Sequence, residues 1–201
     1  MKVDAVVLAA GAGKRFGGGK LSALFRGEPL LFHAIRAARA APVERVLVVA
    51  PDDLPLGAWP GMPIVEPVRL TSGSLSQSLK AGLAATQTPK QMGAVLVFLG
   101  DMPLIQHDVA GRLIAALGDN YAAVPCYGQA IGHPVLLSAR ACADMAGLEG
   151  DRGAGALLRS RADVVRVAVD SSGIVQDVDS PDDLAALERE VTPDRQPPVA
   201  G

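Results

Sequence analysis

The stretch Val3 to Lys20, VDAVVLAAGAGKRFGGGK, constrains this chain more than any other. Val3, Ala5, Val6, Val7, Leu8 and Ala9 form a short, nearly unbroken apolar run that closes on glycine. A run this short and β-branched predicts a strand buried on both faces, as in a parallel sheet. Gly11, Gly13, Arg15, Gly17, Gly18, Gly19 and Lys20 follow it. Glycines let backbone approach a ligand closely, and successive N–H groups in such a loop make an anion cradle. Arg15 and Lys20 are placed to add charge-assisted contacts to phosphate.

Two familiar phosphate motifs do not fit. The P-loop pattern requires G-x-x-x-x-G-K-[ST], but Leu21 follows Gly19-Lys20 and Lys14 holds the first glycine's position. The dinucleotide fingerprint G-x-G-x-x-G would need glycine where Phe16 stands. A plain glycine-rich turn accounts for the glycines. It does not account for a cation at each end of a Phe-Gly-Gly-Gly spacer.

The pattern along the chain extends this start. A strand or turn region over Leu21–Pro29 precedes a helix over Leu30–Ala40, opened by Pro29 in its first turn. Strands are predicted at Arg45–Ala50, Ile64–Glu66, Ala94–Leu99, Ala122–Cys126 and Val164–Val169. Helices are predicted over the Leu75, Leu79, Leu83 period and over Asp108–Leu117, Ser138–Met145, Ala154–Arg161 and Asp182–Val191. Pro51–Pro63 and Tyr127–Ile131 read as loops. A β-α-β start with a phosphate loop after the first strand implies an α/β fold: a Rossmann-like three-layer sandwich with a mostly parallel central sheet. At 201 residues the chain fits one domain, residues 1–191, with Thr192–Gly201 as a disordered tail.

Composition narrows the partners. Aromatics are only 3% against 49% hydrophobic residues, so Ala, Val and Leu must fill the core. A net charge of −2 argues against nucleic acid as a partner but leaves room for a small anion held by local cations. Cys126 and Cys142 are too few for a disulfide framework, which suits a reduced, cytoplasmic protein. No apolar stretch approaches the ~20 residues of a membrane span, and the N-terminal run is too short for a signal sequence.

Asp101 follows the most hydrophobic strand, which should be central. Open α/β sheets bind ligands at the carboxyl ends of such strands. A carboxylate beside phosphates needs a cation between them, which implies Mg²⁺; its alternative role is to cap a following helix. Ser74 and Ser76 precede a helix, as a cap or as part of a ligand site. Ser180, Pro181, Asp182 and Asp183 form a complete helix start, which leaves Asp179 over. Strand alternation would put Asp177 and Asp179 on one face, so geometry does not separate them. His33, on a helix, reads as a surface or core histidine.

The first loop resembles the signature of the MobA-like nucleotidyltransferases, LAAG-x-x-x-R-x-G-x-x-K. It is most similar to their molybdenum cofactor cytidylyltransferase branch, with five positions from Arg15 to Lys20. Gly73, Ser74 and Ser76 are similar to the family's G-x-S-x-S element, and Gly100-Asp101-Met102-Pro103 to its metal motif. Gly132-His133-Pro134 resembles G-H-P, Gly150-Asp151-Arg152-Gly153-Ala154 resembles G-D-x-G-A, and Asp177–Leu184 resembles D-I-D-T-P-D-D-L.

The resemblance implies that Leu8, Ala9, Ala10, Gly11, Gly13, Arg15, Lys20, Gly73, Ser74, Ser76, Gly100 and Asp101 hold the nucleotide. Arg15, Lys20 and Asp101 would be catalytic. Asp101 and Asp179 would hold Mg²⁺, with Asp179 preferred to Asp177. His133, Pro134, Asp151 and Arg152 would meet the acceptor, although His133 serves equally as a turn residue. The implied reaction transfers CMP from CTP to a pterin-phosphate, the molybdenum cofactor, releasing pyrophosphate, with a molybdoenzyme as client. A GTP-dependent guanylyltransferase and a sugar- or alcohol-phosphate nucleotidyltransferase are the enzymatic alternatives. A protein that binds and delivers the cofactor, or a nucleotide-binding oxidoreductase partner, is the alternative of another class. Two family arginines are replaced: Ile131 precedes Gly132, and Gly155 closes the G-D-x-G-A element. Arg159, one turn on from Gly155, is the candidate stand-in.

Overall fold

The structure is a computed structural model, and it describes residues 1–11, 13–71, 74–86, 93–146 and 154–191. The predicted tail lies outside these residues. Chain order runs β1 (Val3–Leu8), β2 (Leu24–Phe25), β3 (Glu28–Pro29), α1 (Leu30–Ala40), β4 (Arg45–Ala50), β5 (Ile64–Arg69), α2 (Leu75–Thr86) and β6 (Ala94–Leu99). It continues α3 (Val109–Leu117), β7 (Ala122–Tyr127), β8 (Ala130–Ile131), β9 (Val135–Leu137), α4 (Ala139–Ala146), α5 (Ala154–Ser160), β10 (Val164–Ala168) and α6 (Pro181–Val191).

The main sheet has the order β10-β7-β9-β6-β1-β4-β5, with β8 beside β7. β1 lies between β4 and β6 and pairs with both in parallel. β9 runs antiparallel to β6 and β7, so the sheet is mostly parallel, with one reversed strand in its interior. The α/β class and the central place of Ala94–Leu99 follow the sequence expectation.

Alternation along the strands explains the three layers. Ala5, Val7, Val46, Val48, Leu96 and Phe98 face one apolar cluster, which α1, α3 and α6 cover. Val6, Leu47, Val49, Val95 and Val97 face the other, covered by α2 and α4. Strands buried on both faces need no polar residues, which is why they read as continuous apolar runs. With few aromatics, close approach replaces bulk. A Cβ added to Gly82 of α2 would stand 2.5 Å from Val6 Cγ1, so this glycine lets the helix settle onto the sheet.

Four local readings change. Pro29 is the cap before α1, and the helix begins at Leu30. β5 runs through Pro67 to Arg69, beyond the predicted Ile64–Glu66. β5 is the sheet's edge, where proline's missing N–H removes no ladder bond. Tyr127–Ile131 forms a hairpin turn, with Gly128 at φ 58°. Residues 176–179 are not a strand, so the alternation argument for Asp177 and Asp179 does not apply. His33 bonds the Phe25 carbonyl at 2.9 Å and packs edge-on against the Phe25 ring, the structural role expected for it.

Gly82→Ala should destabilise the fold by ~1–3 kcal/mol, because the helix–sheet contact cannot admit a methyl group. Gly111→Ala, inside α3 with open space at its Cβ, should stabilise by ~0.5–1 kcal/mol. Urea unfolding of both variants checks this, and equal shifts would refute the packing argument.

Candidate active site

Three segments meet at the carboxyl ends of β1 and β6. Backbone bonds tie them: Gly100 N donates to the Leu8 carbonyl (2.9 Å), Ala9 N to Val49 (2.8 Å), and Val178 N to Asp101 (3.0 Å). The last bond draws the segment before α6 onto the end of β6, although 77 positions separate its partners. The glycine loop arches over this junction. Gly17, Gly18 and Gly19 have φ of 80°, 100° and 65°, a left-handed path that other residues take at a cost. A Cβ on Gly13 would stand 3.3 Å from Lys20 Cβ, so the loop closes tightly on the lysine stem.

Lys20 Nζ donates to Asp101 Oδ2 at 2.6 Å and to Asp179 Oδ1 at 3.3 Å. Arg15 Nη1 donates to Asp179 Oδ2 at 2.8 Å. Lys20 is 12% exposed at its side chain, and Arg15 is 80% exposed. Burial disfavours the Lys20 charge, but bonding to Asp101 and Asp179 outweighs it and holds the ammonium above its ordinary pKa. Asp101, Asp177 and Asp179 each bring a carboxylate oxygen within 4.8 Å of the others. Three carboxylates thus face two cations, which leaves one negative charge.

Asp101 Oδ1 is buried and, among the described residues, has no hydrogen-bond partner. A buried carboxylate oxygen is costly when unpaired. It sits in an all-oxygen donor set, the kind that hard divalent cations prefer. The residues present therefore fit a divalent metal. Asp101 does not cap a helix; α3 begins at Val109 after its own cap, Asp108. Asp179 is oriented by its neighbour Asp183, whose Oδ2 accepts from the N–H groups of Asp179 (3.0 Å) and Ser180 (2.8 Å). Ser180 Oγ accepts from Asp183 N in return (3.2 Å), the reciprocal pattern of a capping box. The Ser180 hydroxyl and these backbone bonds hold the Asp183 carboxyl below its usual range.

A cavity of about 850 Å³ opens on the α2 and α4 side of the sheet. Leu8 and Leu99 line it next to the glycine loop and Asp101. Ser74 and Ser76 lie at the start of α2, with their hydroxyls 2.9 Å apart. Ser74 Oγ also accepts from Gln77 N, while Gln77 Oε1 accepts from Ser74 N (2.8 Å), so Ser74 is the helix cap. His133 lines the same cavity, and its Nδ1 lies 3.4 Å from the Val97 carbonyl. Burial pushes its pKa down, against the weaker pull of Val97, Asp101 and Asp177. Pro134 is buried beside it.

The structure brings together Leu8, Ala9, Ala10, Arg15, Lys20, Gly100, Asp101 and Asp179, and it places Ser74, Ser76 and His133 on the adjoining cavity. Gly11 and Gly13 belong to the arch. Gly73, Asp151 and Arg152 lie outside the described residues. Sequence reading missed the cavity's far wall: Leu158, Arg161, Val164 and Arg166. Its only sequence signal was alternation, which puts Val164 and Arg166 on one face of β10.

Lys20→Ala should lower stability by about 1–3 kcal/mol, because it leaves facing carboxylates uncompensated. Mn²⁺ should then raise the melting temperature of the variant more than that of the parent chain. An equal rise in both would refute the shared site. His133 makes a second, pH-linked test. Its folded pKa lies below the unfolded value of ~6.5, so the unfolded chain takes the proton first and stability falls as pH drops below that value. Denaturation from pH 7.5 to 5.5 should show a shallower loss in His133→Gln, and parallel curves would refute the assignment.

The sequence profile for the MobA-like NTP transferase domain matches residues 5–165. The purine catabolism protein PucB of Bacillus subtilis is 29% identical over 199 residues, spanning 92% of this chain and 95% of that protein. A 2-C-methyl-D-erythritol 4-phosphate cytidylyltransferase of Dechloromonas aromatica is 36% identical over 119 residues, 56% of this chain and 49% of that enzyme, so the chain spans about half of that relative. Among solved structures, Rv0371c of Mycobacterium tuberculosis H37Rv superposes with a TM-score of 0.79 at 25% identity, covering 94% of this chain and 98% of that one. Its manganese complex superposes with a TM-score of 0.75 at 26% identity, covering 95% and 100%. One structural relative is thus known as a manganese complex. By the span of that profile and the fold it accompanies, the chain belongs to the MobA-like NTP transferase family, the nucleotidyltransferases.

Proposed function

We propose that the chain transfers CMP from CTP to a pterin-phosphate, the molybdenum cofactor, with release of pyrophosphate. One observation carries the reading: Arg15, Lys20, Asp101 and Asp179, from opposite ends of the sequence, converge at the mouth of a cavity large enough for an acceptor. Five positions separate Arg15 from Lys20, as in the cytidylyltransferase branch, and one relative bears a cytidylyltransferase name. That relative's alcohol-phosphate substrate is the specific ground for a second reading, in which the acceptor is a sugar or alcohol phosphate.

The triphosphate lies in the arch formed by Gly11, Gly13 and Gly17–Gly19, with Ser74 and Ser76 at the nucleoside end. Asp101 and Asp179 would hold the divalent ion, Mg²⁺ in this reading, with Asp177 beside them. When bound, it would supply charge neutralisation for the phosphates. Lys20 and Arg15 bind the triphosphate from the arch. An acceptor phosphate oxygen attacks the α-phosphorus. The bond from that phosphorus to the bridging oxygen breaks, and pyrophosphate leaves with the electron pair against Lys20 and Arg15. A phosphate acceptor is already anionic at neutral pH, so the chain needs no strong general base. Its contribution is position and charge. His133, kept neutral by burial, faces the acceptor without adding a competing charge.

Pyrophosphate release should be fastest with CTP among the four nucleotides and should require a pterin-phosphate. Lys20→Ala should lose about 3 kcal/mol of transition-state stabilisation, roughly a hundredfold in rate. Asp101→Asn should lose at least as much, together with Mg²⁺-dependent CTP binding. Near-normal turnover in Lys20→Ala would remove the arch from the mechanism, and a preference for GTP would reassign the donor.

A further inference from the structure

The far end of the cavity has a charge pattern that the reaction above does not use. Arg159, Arg161 and Arg166 line it. Arg161 is committed elsewhere: it pairs with Asp163 through two bonds of 2.7 and 2.9 Å, and its guanidinium lies 3.7 Å over the Tyr121 ring. Arg159 and Arg166 are exposed, and among the described residues neither makes a hydrogen bond or ion pair. Arg166 shares a face of β10 with Val164, and it sits in register with Val124; both valines line the cavity.

Arg159 reaches the cavity because of Gly155. A Cβ at Gly155 would stand 3.3 Å from Arg159 Nη1, so the guanidinium occupies the space that a side chain there would fill. The two positions trade room. Gly155 has no left-handed φ, so a side chain there would be crowded by Arg159, which would have to shift, and not by the backbone.

The sheet order sets the distance between the two ends. β10 lies three interstrand steps from β6, the strand that ends at Asp101. At ~4.8 Å a step that is roughly 14 Å across the sheet. The registers place Arg166 level with Val97, four residues before Asp101, which adds roughly 13 Å along the strands and makes the backbone separation about 19 Å. Side chains reaching inward leave a span on the order of 10 Å or more to be bridged. The walls between are apolar, with Val97, Val124, Val135 and Leu137 among them.

We propose that Arg159 and Arg166 form a distal anion-reading pair. The acceptor then carries a second anionic group, separated from its reacting phosphate by a body that packs on apolar walls. This rests on the acceptor occupying the cavity, as the proposed function has it. Arg159 and Arg166 are specificity residues in this scheme and touch no reacting atom. They select against acceptors that carry only the reacting phosphate.

The first test uses 8-anilinonaphthalene-1-sulfonate, an apolar aromatic anion, with uncharged N-phenyl-1-naphthylamine as control, read by fluorescence. The double variant Arg159→Ala/Arg166→Ala should weaken sulfonate binding about tenfold or more, as expected for loss of charge-assisted contacts, and leave the control unchanged. Arg166→Lys should restore part of the loss. Gly155→Val should weaken sulfonate binding in the parent and add nothing in the Arg159→Ala background, since both act through one guanidinium. In turnover, the acceptor KM should rise while kcat and the KM for CTP stay unchanged. Equal sulfonate affinity in parent and double variant would overturn the pair, as would an effect of Gly155→Val independent of Arg159. Loss of sulfonate binding in a chain that releases no pyrophosphate with any acceptor would support the pair and overturn only the proposed reaction.

Discussion

The Lys20 ammonium, held between Asp101 and Asp179, is the contact that joins the two ends of this chain. Without it, the carboxylates that α6 and β6 bring together would repel, and the glycine arch would lack its anchor. The geometry is self-consistent only because burial and charge act in opposition. Desolvation penalises the ammonium, and the two carboxylates more than offset that penalty. One negative charge and one unpaired buried oxygen remain, so the site is poised to accept positive charge.

The sheet makes this meeting possible. Parallel strands β1 and β6 end side by side, so the loops that leave them share one edge. The side under α1, α3 and α6 is packed with alanine, valine and leucine. On the other side, α2 packs on β1 and β4 and α4 on β6 and β9, and the cavity extends over β6, β7, β9 and β10. The antiparallel β9 carries His133 into the cavity from the strand's leading end.

The cavity's far wall is held by a network of its own. Tyr121 is fully buried, and its hydroxyl donates to Asp144 (3.1 Å). Burial and that bond push its pKa up to about 12, so it stays a neutral donor. Arg161 lies over its ring, and Arg140 and Arg161 both bind Asp163, which fixes the start of β10. Arg166 is thus presented by a braced strand, whereas Arg15 lies exposed on a glycine loop.

The amino-acid sequence by itself determined the strands that are buried on both faces, the helix caps and the glycine arch with its two cations. These depend on local pattern: apolar runs, Ser180-Pro181 before α6, and glycines where φ turns positive. It also carried the residues of the acidic pair, because their motifs are contiguous. What it did not contain were relations between distant segments. The strand order, the bond from Val178 to Asp101, the inclusion of Asp177 in the cluster and the trade of space between Gly155 and Arg159 exist only when the sheet is assembled. Each depends on through-space distance, which no local period encodes. The same reason hid Arg166: on a lone strand its alternation is visible, but the cavity it faces is assembled from α2, α4, α5 and strands spread from Leu8 to Val164.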